Sequence, residues 1–134
     1  MKRMNVGDRY EEKRTITALE VELFAKLTGD FNPVHFDELA AKAQGFQGRI
    51  AHGLLSVSFL SKILGTNFPG PGTIYLEQNA RFLKPVYLNS EITLRLEVLS
   101  QKEGRPIFTL KTEIFNSSGE ILVTGQAVVR MPSS

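Results

Sequence analysis

Leu54 to Leu64 reads LLSVSFLSKIL, eleven residues in which Lys62 is the only strongly polar side chain. Apolar positions fall on nearly every side of this run, and a helix of that kind is a buried one, surrounded by other structure. Periodicity alone also admits a strand; the length and the Ser-interrupted Leu composition favour the helix. Downstream the period changes to two. Glu91 to Leu99 places Ile92, Leu94, Leu96 and Val98 on one face and Glu91, Thr93, Arg95 and Glu97 on the other. Gly104 marks a turn before the run Ile107 to Phe115, and NSSG (Asn116 to Gly119) turns the chain into Ile121 to Met131. An earlier run, Thr73 to Phe82, follows a PGPG loop. Antiparallel strands behind one buried helix predict an α+β fold in which a sheet wraps around that helix.

Upstream, the pattern is helical. Thr17 is placed to cap a helix running through Leu27, with Glu20 as its capping-box partner. Val21, Phe24, Ala25 and Leu27 lie roughly on one face, and Gly29 stands just past the end. Asp37 reads as the cap of a second helix, Glu38 to Ala43, stopped by Gly45.

Composition narrows the function. The 134 residues suit one domain, 1–134, with 42% hydrophobic and 22% charged side chains. A net charge of +2 with scattered Lys and Arg argues against a dedicated nucleic-acid protein. Cysteine is absent, which excludes disulfides, thiolate catalysis and Cys-based zinc sites. The opening MKRMNVGDRYEEKR lacks an apolar signal core, and no run approaches the roughly 20 apolar residues that span a bilayer. A soluble cytoplasmic protein, without membrane or nucleic-acid partners, is the expectation.

Chemistry-bearing residues gather in two segments. TGDFNPVHFD, Thr28 to Asp37, sets a carboxylate (Asp30) and an imidazole (His35) on either side of Asn32-Pro33. Asp, Asn and Pro are ordinary turn residues, so a purely structural reading stands beside a catalytic one. Pro33 fixes one φ and restricts Asn32, giving the stiffness that a positioned acid–base pair needs. AHGLL, Ala51 to Leu55, holds the second of only two histidines, His52, followed by Gly53. His52 reads as a core or interface residue. Gly53 opens the buried helix, where free N–H groups and the positive end of the dipole suit a carbonyl oxygen gaining negative charge. Asp30, His35 and His52 show no compact metal-ligand spacing, GPGTIY lacks a dinucleotide fingerprint, and no GxSxG elbow exists. Ser56, Ser58 and Ser61 read as packing residues, Ser61 also as one able to face a pocket. Arg49, Arg81 and Lys84 read as surface charges.

Taken together, VGD (Val6 to Asp8), LTGDFNPVHFD (Leu27 to Asp37), AHGLL, GTIYLEQNARFLKPV and VTGQAVVRMP resemble the (R)-specific enoyl-CoA hydratases, the MaoC-like branch of the hot-dog fold, along essentially the whole chain. The resemblance implies a curved antiparallel sheet around one long helix, and a homodimer with acyl sites at the subunit interface. It puts the catalytic pair on Asp30 and His35, a supporting Asn on Asn32, and the backbone donor to the thioester carbonyl on Gly53. An acyl pocket is expected along the buried helix, with Ser61 and Leu64 toward its inner end and Val129 from the last strand, and Arg49, Arg81 or Lys84 are the cations available to CoA phosphates. No metal or redox cofactor is implied, CoA being part of the substrate. The rival readings are a (3R)-hydroxyacyl-[acyl-carrier-protein] dehydratase, an acyl-CoA thioesterase, and a non-catalytic acyl-CoA-binding module.

Overall fold

Residues 4–132 are described by the computed structural model, and they form six strands and three helices. In chain order these are β1 (Arg9–Thr15), α1 (Ala18–Thr28), α2 (Glu38–Ala43), α3 (Gly53–Thr66), β2 (Ile74–Gln78), β3 (Arg81–Phe82), β4 (Glu91–Gln101), β5 (Ile107–Asn116) and β6 (Ile121–Arg130). All pairings are antiparallel. The order is β1-β4-β5-β6-β2, with β3 also paired to β6.

The period-two pattern lands as read: Ile92, Leu94, Leu96 and Val98 of β4 are buried, as are Phe108, Leu110 and Ile114 of β5 and Ala127 and Val129 of β6. They share one core with Leu55, Leu60, Ile63 and Leu64 of α3. The sheet curls until elements on both of its sides reach that helix. On one side Tyr10 of β1 stacks on Phe68, Glu12 pairs with Lys62 at 2.9 Å, and Arg14 lies over the Phe59 ring. On the other, Phe82 of β3 packs on Gly53. Bulges near Tyr75, Val98 and Ile114 add local twist and bend to the strands that curl.

Three expectations need correcting. Helix α3 is not enclosed on every side, because Leu54, Ser58, Ser61 and Lys62 form an exposed face in this chain. Leu27 is 84% exposed, since Leu19, Leu23 and Leu27 recur every fourth residue on the outer side of α1 while Val21 and Ala25 face inward. The run Thr73 to Phe82 is two strands, broken at Asn79-Ala80. Strand β1, RYEEKRT, was not foreseen as a strand. Its alternation is between charged residues, and cross-strand pairs such as Arg9–Glu97 and Arg95–Glu11 accompany its pairing with β4.

The break in the β2–β3 edge has a definite cause on β6. Asn79 N–H donates to the Gln126 carbonyl (3.0 Å), and Asn79 Oδ1 accepts from Gln126 N–H (2.9 Å). A Cβ on the adjacent Gly125 would sit 2.0 Å from the Asn79 carbonyl oxygen. Gly125→Ala is therefore expected to destabilise at the upper end of the overpacking range, about 1–3 kcal/mol, as read by urea denaturation. An unchanged midpoint would mean that the Asn79 loop moves aside freely.

Candidate active site

The loop after α1 is built from consecutive turn bonds. Gly29 takes the left-handed conformation (φ 84°) that ends the helix, its N–H donating to the Ala25 carbonyl at 2.7 Å. Asn32 N–H donates to Asp30 Oδ1 (3.2 Å), and Val34 N–H to Asn32 Oδ1 (3.4 Å). Asn32 thus caps the short 3-10 turn Pro33–His35. The turn then docks on the segment before α3. Ile50 N–H donates to the Val34 carbonyl, Arg49 Nε to the His35 carbonyl (2.8 Å), and Ala51 N–H to the Val86 carbonyl.

His35 is buried, and its Nδ1 lies 2.7 Å from the Ile50 carbonyl oxygen. A carbonyl only accepts, so Nδ1 carries the proton and Nε2 keeps its lone pair. Burial is the main cause that lowers the His35 pKa below the usual 6.5, and the His52 imidazole adds to it; the Ile50 hydrogen bond and the Asp30 carboxylate oppose without cancelling. His52 stacks on His35 with ring centroids 3.8 Å apart. One donor atom from each of Asp30, His35 and His52 lies within 4.8 Å of the other two. All three side chains are therefore close enough to address one small bound species.

Asp30, Asn32, His35, His52 and Gly53 line one end of a cavity of about 620 Å³, whose walls are mostly apolar. Helix α3 makes its first backbone bonds from Leu55 and Ser56 to the His52 carbonyl, so the Gly53 N–H has no intrahelical acceptor. The Phe82 ring stands where a Gly53 side chain would be, 2.5 Å from an ideal Cβ. The structure therefore brings Asp30, His35, Asn32 and Gly53 together as expected.

The remaining candidates fare differently. Ser61 is exposed on the outer face of α3, and Leu64 and Val129 are fully buried core; none of the three lines this cavity. The pocket runs past the first turn of α3 toward β3 and Lys84, not along the helix to its far end. Arg49 is no free surface charge, because it holds the His35 carbonyl and lies over the Phe36 ring at 5.7 Å. Lys84 lines the cavity with its ammonium paired to Glu120, and Arg81 is exposed on β3. Phe82 was missed as a wall of the site. Only its proximity to Gly53 in the folded chain reveals it.

The MaoC like domain matches residues 4–116. This chain belongs to the MaoC-like family. It is 42% identical to the (R)-specific enoyl-CoA hydratase of Aeromonas caviae over 96% of both chains. The solved (R)-hydratase of that organism superposes with a TM-score of 0.93, at 41% identity over 98% of this chain and 100% of that one. The R-hydratase PhaJ1 of Pseudomonas aeruginosa follows at 0.90, with 40% identity over 98% of this chain and 84% of that one. The mitochondrial 3-hydroxyacyl-[acyl-carrier-protein] dehydratase of Arabidopsis thaliana is 31% identical over 97% of this chain and 79% of its own length. The α+β sheet wrapped on α3 is accordingly the hot-dog fold of these MaoC-like proteins.

A pH prediction follows from His35. Its pKa is lower folded than unfolded, so below about 6.5 the unfolded chain binds a proton that the folded chain refuses. This contribution to stability is complete above that pH and is lost as pH falls toward the folded value. Urea midpoints from pH 8 to pH 5 are expected to decline on the acid side, and His35→Gln to make the decline shallower. An identical slope in the variant would assign the acid sensitivity elsewhere.

Proposed function

We propose that this chain is an (R)-specific enoyl-CoA hydratase, adding water reversibly to a trans-2-enoyl-CoA to give the (R)-3-hydroxyacyl-CoA. The convergence of the Asp30 carboxylate, the unprotonated Nε2 of His35 and the Gly53 N–H on one apolar-walled cavity carries the reading. The near full-length likeness to the Aeromonas caviae hydratase supports it.

Negative charge develops on the thioester carbonyl oxygen as the nucleophile reaches C3, and the Gly53 N–H at the positive end of α3 stabilises it. Asp30 and His35 hold one water between them. One of the pair takes a proton from that water as its oxygen bonds to C3, and the pair returns a proton to C2 on the same face. Protons balance, and no metal or redox group enters. CoA is the carrier in this reading, and Lys84, which lines the cavity, and Arg81, exposed on β3, are the cations assigned to its phosphates.

The assembly we propose is a homodimer in the cytoplasm. The two sheet edges differ in kind. Strand β1 presents charged side chains, which keep an edge from pairing. Strand β2 exposes Ile74, Tyr75 and Leu76, and Leu54, Phe82 and Leu83 continue the apolar surface toward the site. Light scattering at micromolar concentration is expected to give a dimer; a fully active monomer would sink this part.

Activity is tested on crotonyl-CoA. Loss of conjugated-enone absorbance without thiol release is expected, with the R product identified by chiral analysis. Thiol release would make the protein a thioesterase, and turnover confined to acyl-carrier-protein thioesters would change the carrier but not the chemistry. Asp30→Asn and His35→Gln are each expected to lower kcat by roughly 10²–10⁴-fold, the range of a positioned acid or base. The double variant should lose far less than the product of the two, because both act on one water. Variants within a few fold of wild type would return Asp30 and His35 to a structural role.

A further inference from the structure

His52 touches each part of the site and has been assigned no part in it. It is 3% exposed. Its Nε2 lies 3.0 Å from the backbone carbonyl oxygen of Asp30. Its ring stacks on His35 at 3.8 Å and is backed by Phe24 at 4.9 Å and the edge of Phe36 at 6.5 Å. Along the chain it caps α3 and immediately precedes Gly53, yet its side chain makes no capping bond to that helix. Its Nδ1 is buried without a hydrogen-bond partner.

These contacts fix its chemical form. The Asp30 carbonyl only accepts, so Nε2 of His52 carries a proton, and in the neutral ring Nδ1 holds the lone pair. His35 bonds the Ile50 carbonyl through Nδ1 and so has the opposite arrangement. The two histidines of the chain are thus stacked in opposite tautomers, each set by a main-chain carbonyl.

We propose that His52 is the positioning residue of this site: through Nε2–H to the Asp30 carbonyl and its stack on His35, it sets the Asp30–His35 pair in register with the Gly53 N–H. The proposal rests on the hydratase reading for its consequence and on geometry alone for its tautomers. A side chain needed only for packing would be replaced by any ring of similar size. A positioning donor is not.

His52→Phe keeps the ring and removes the donor, whereas His52→Gln keeps an N–H close to the place of Nε2. For crotonyl-CoA, His52→Phe is expected to lower kcat by roughly 10²-fold, as a displacement of about 1 Å does. KM should stay within about threefold, because substrate binding is not what is lost. His52→Gln should recover most of kcat. Should the Phe variant not fold, Gln against Asn decides. The Asn amide reaches only to the place of Nδ1, so Gln must be the more active.

The second readout needs no turnover. With ¹⁵N-labelled histidine at neutral pH, wild type is expected to show one Nδ1–H and one Nε2–H imidazole, the latter vanishing in His52→Gln. Equal activity of Gln and Phe (or of Gln and Asn), a Phe variant within threefold of wild type, or a His52 signal of the Nδ1–H form each overturns the proposal. Wild type inactive on every enoyl thioester, yet showing the two opposite tautomers, would instead overturn the hydratase reading and leave the His52 geometry standing.

Discussion

Four hydrogen bonds join residues 30–35 to residues 49–52: His35 Nδ1 to the Ile50 carbonyl, Arg49 Nε to the His35 carbonyl, Ile50 N–H to the Val34 carbonyl, and His52 Nε2 to the Asp30 carbonyl. Each uses a backbone carbonyl as acceptor; three reach it from a side chain and one, the Ile50 N–H, from the main chain. A net contribution of about 0.5–1.5 kcal/mol apiece is modest against folding as a whole. Their weight is geometric. The loop has few apolar side chains of its own in the core, so these bonds decide where its carboxylate and imidazole stand relative to α3. Pro33 removes freedom within the loop, and the carbonyls remove freedom between the loop and the helix. Both restrictions are needed, since a stiff loop in the wrong place holds its acid and base equally far from the Gly53 N–H.

What could be read from the sequence was local. The Thr17–Glu20 capping box, the Asp37 cap and the Gly29 terminus all occur where residue type alone dictates them. Strands β4 to β6 follow from alternation, and the Asp30–Asn32–His35 cluster from a short motif whose turn bonds span only two or three residues. Direction was less legible. Ser61, Leu64 and Val129 were expected beside a pocket along the buried helix, and in this chain Ser61 faces outward while Leu64 and Val129 lie in the core, none of them lining the cavity of Asp30 and His35, because which side of α3 meets that cavity depends on how the sheet curls. Arg49 looked like a free cation because nothing in its neighbourhood announces the His35 carbonyl fourteen residues back. Strand β1 escaped because its alternation is carried by salt bridges to β4, which a hydrophobic period does not register.

Gly53 shows how one missing side chain serves two ends. As the first residue of α3 it offers an N–H that no helical carbonyl takes up, and a Cβ there would meet the Phe82 ring. The ring comes from β3, the short strand placed by the Asn79 break opposite Gly125, so a glycine on β6 and a glycine on α3 are linked through one loop. Phe82 on Gly53 sets an apolar wall beside the donor. An N–H aimed into a cavity with such walls acts on a developing oxyanion through a lower effective dielectric than one open to water, and it needs no reorganisation when the charge appears. Alanine, the mildest substitution for helix α3 itself, would place its methyl against that ring, so Phe82 would have to shift from its seat on Gly53 and the wall beside the donor would move with it.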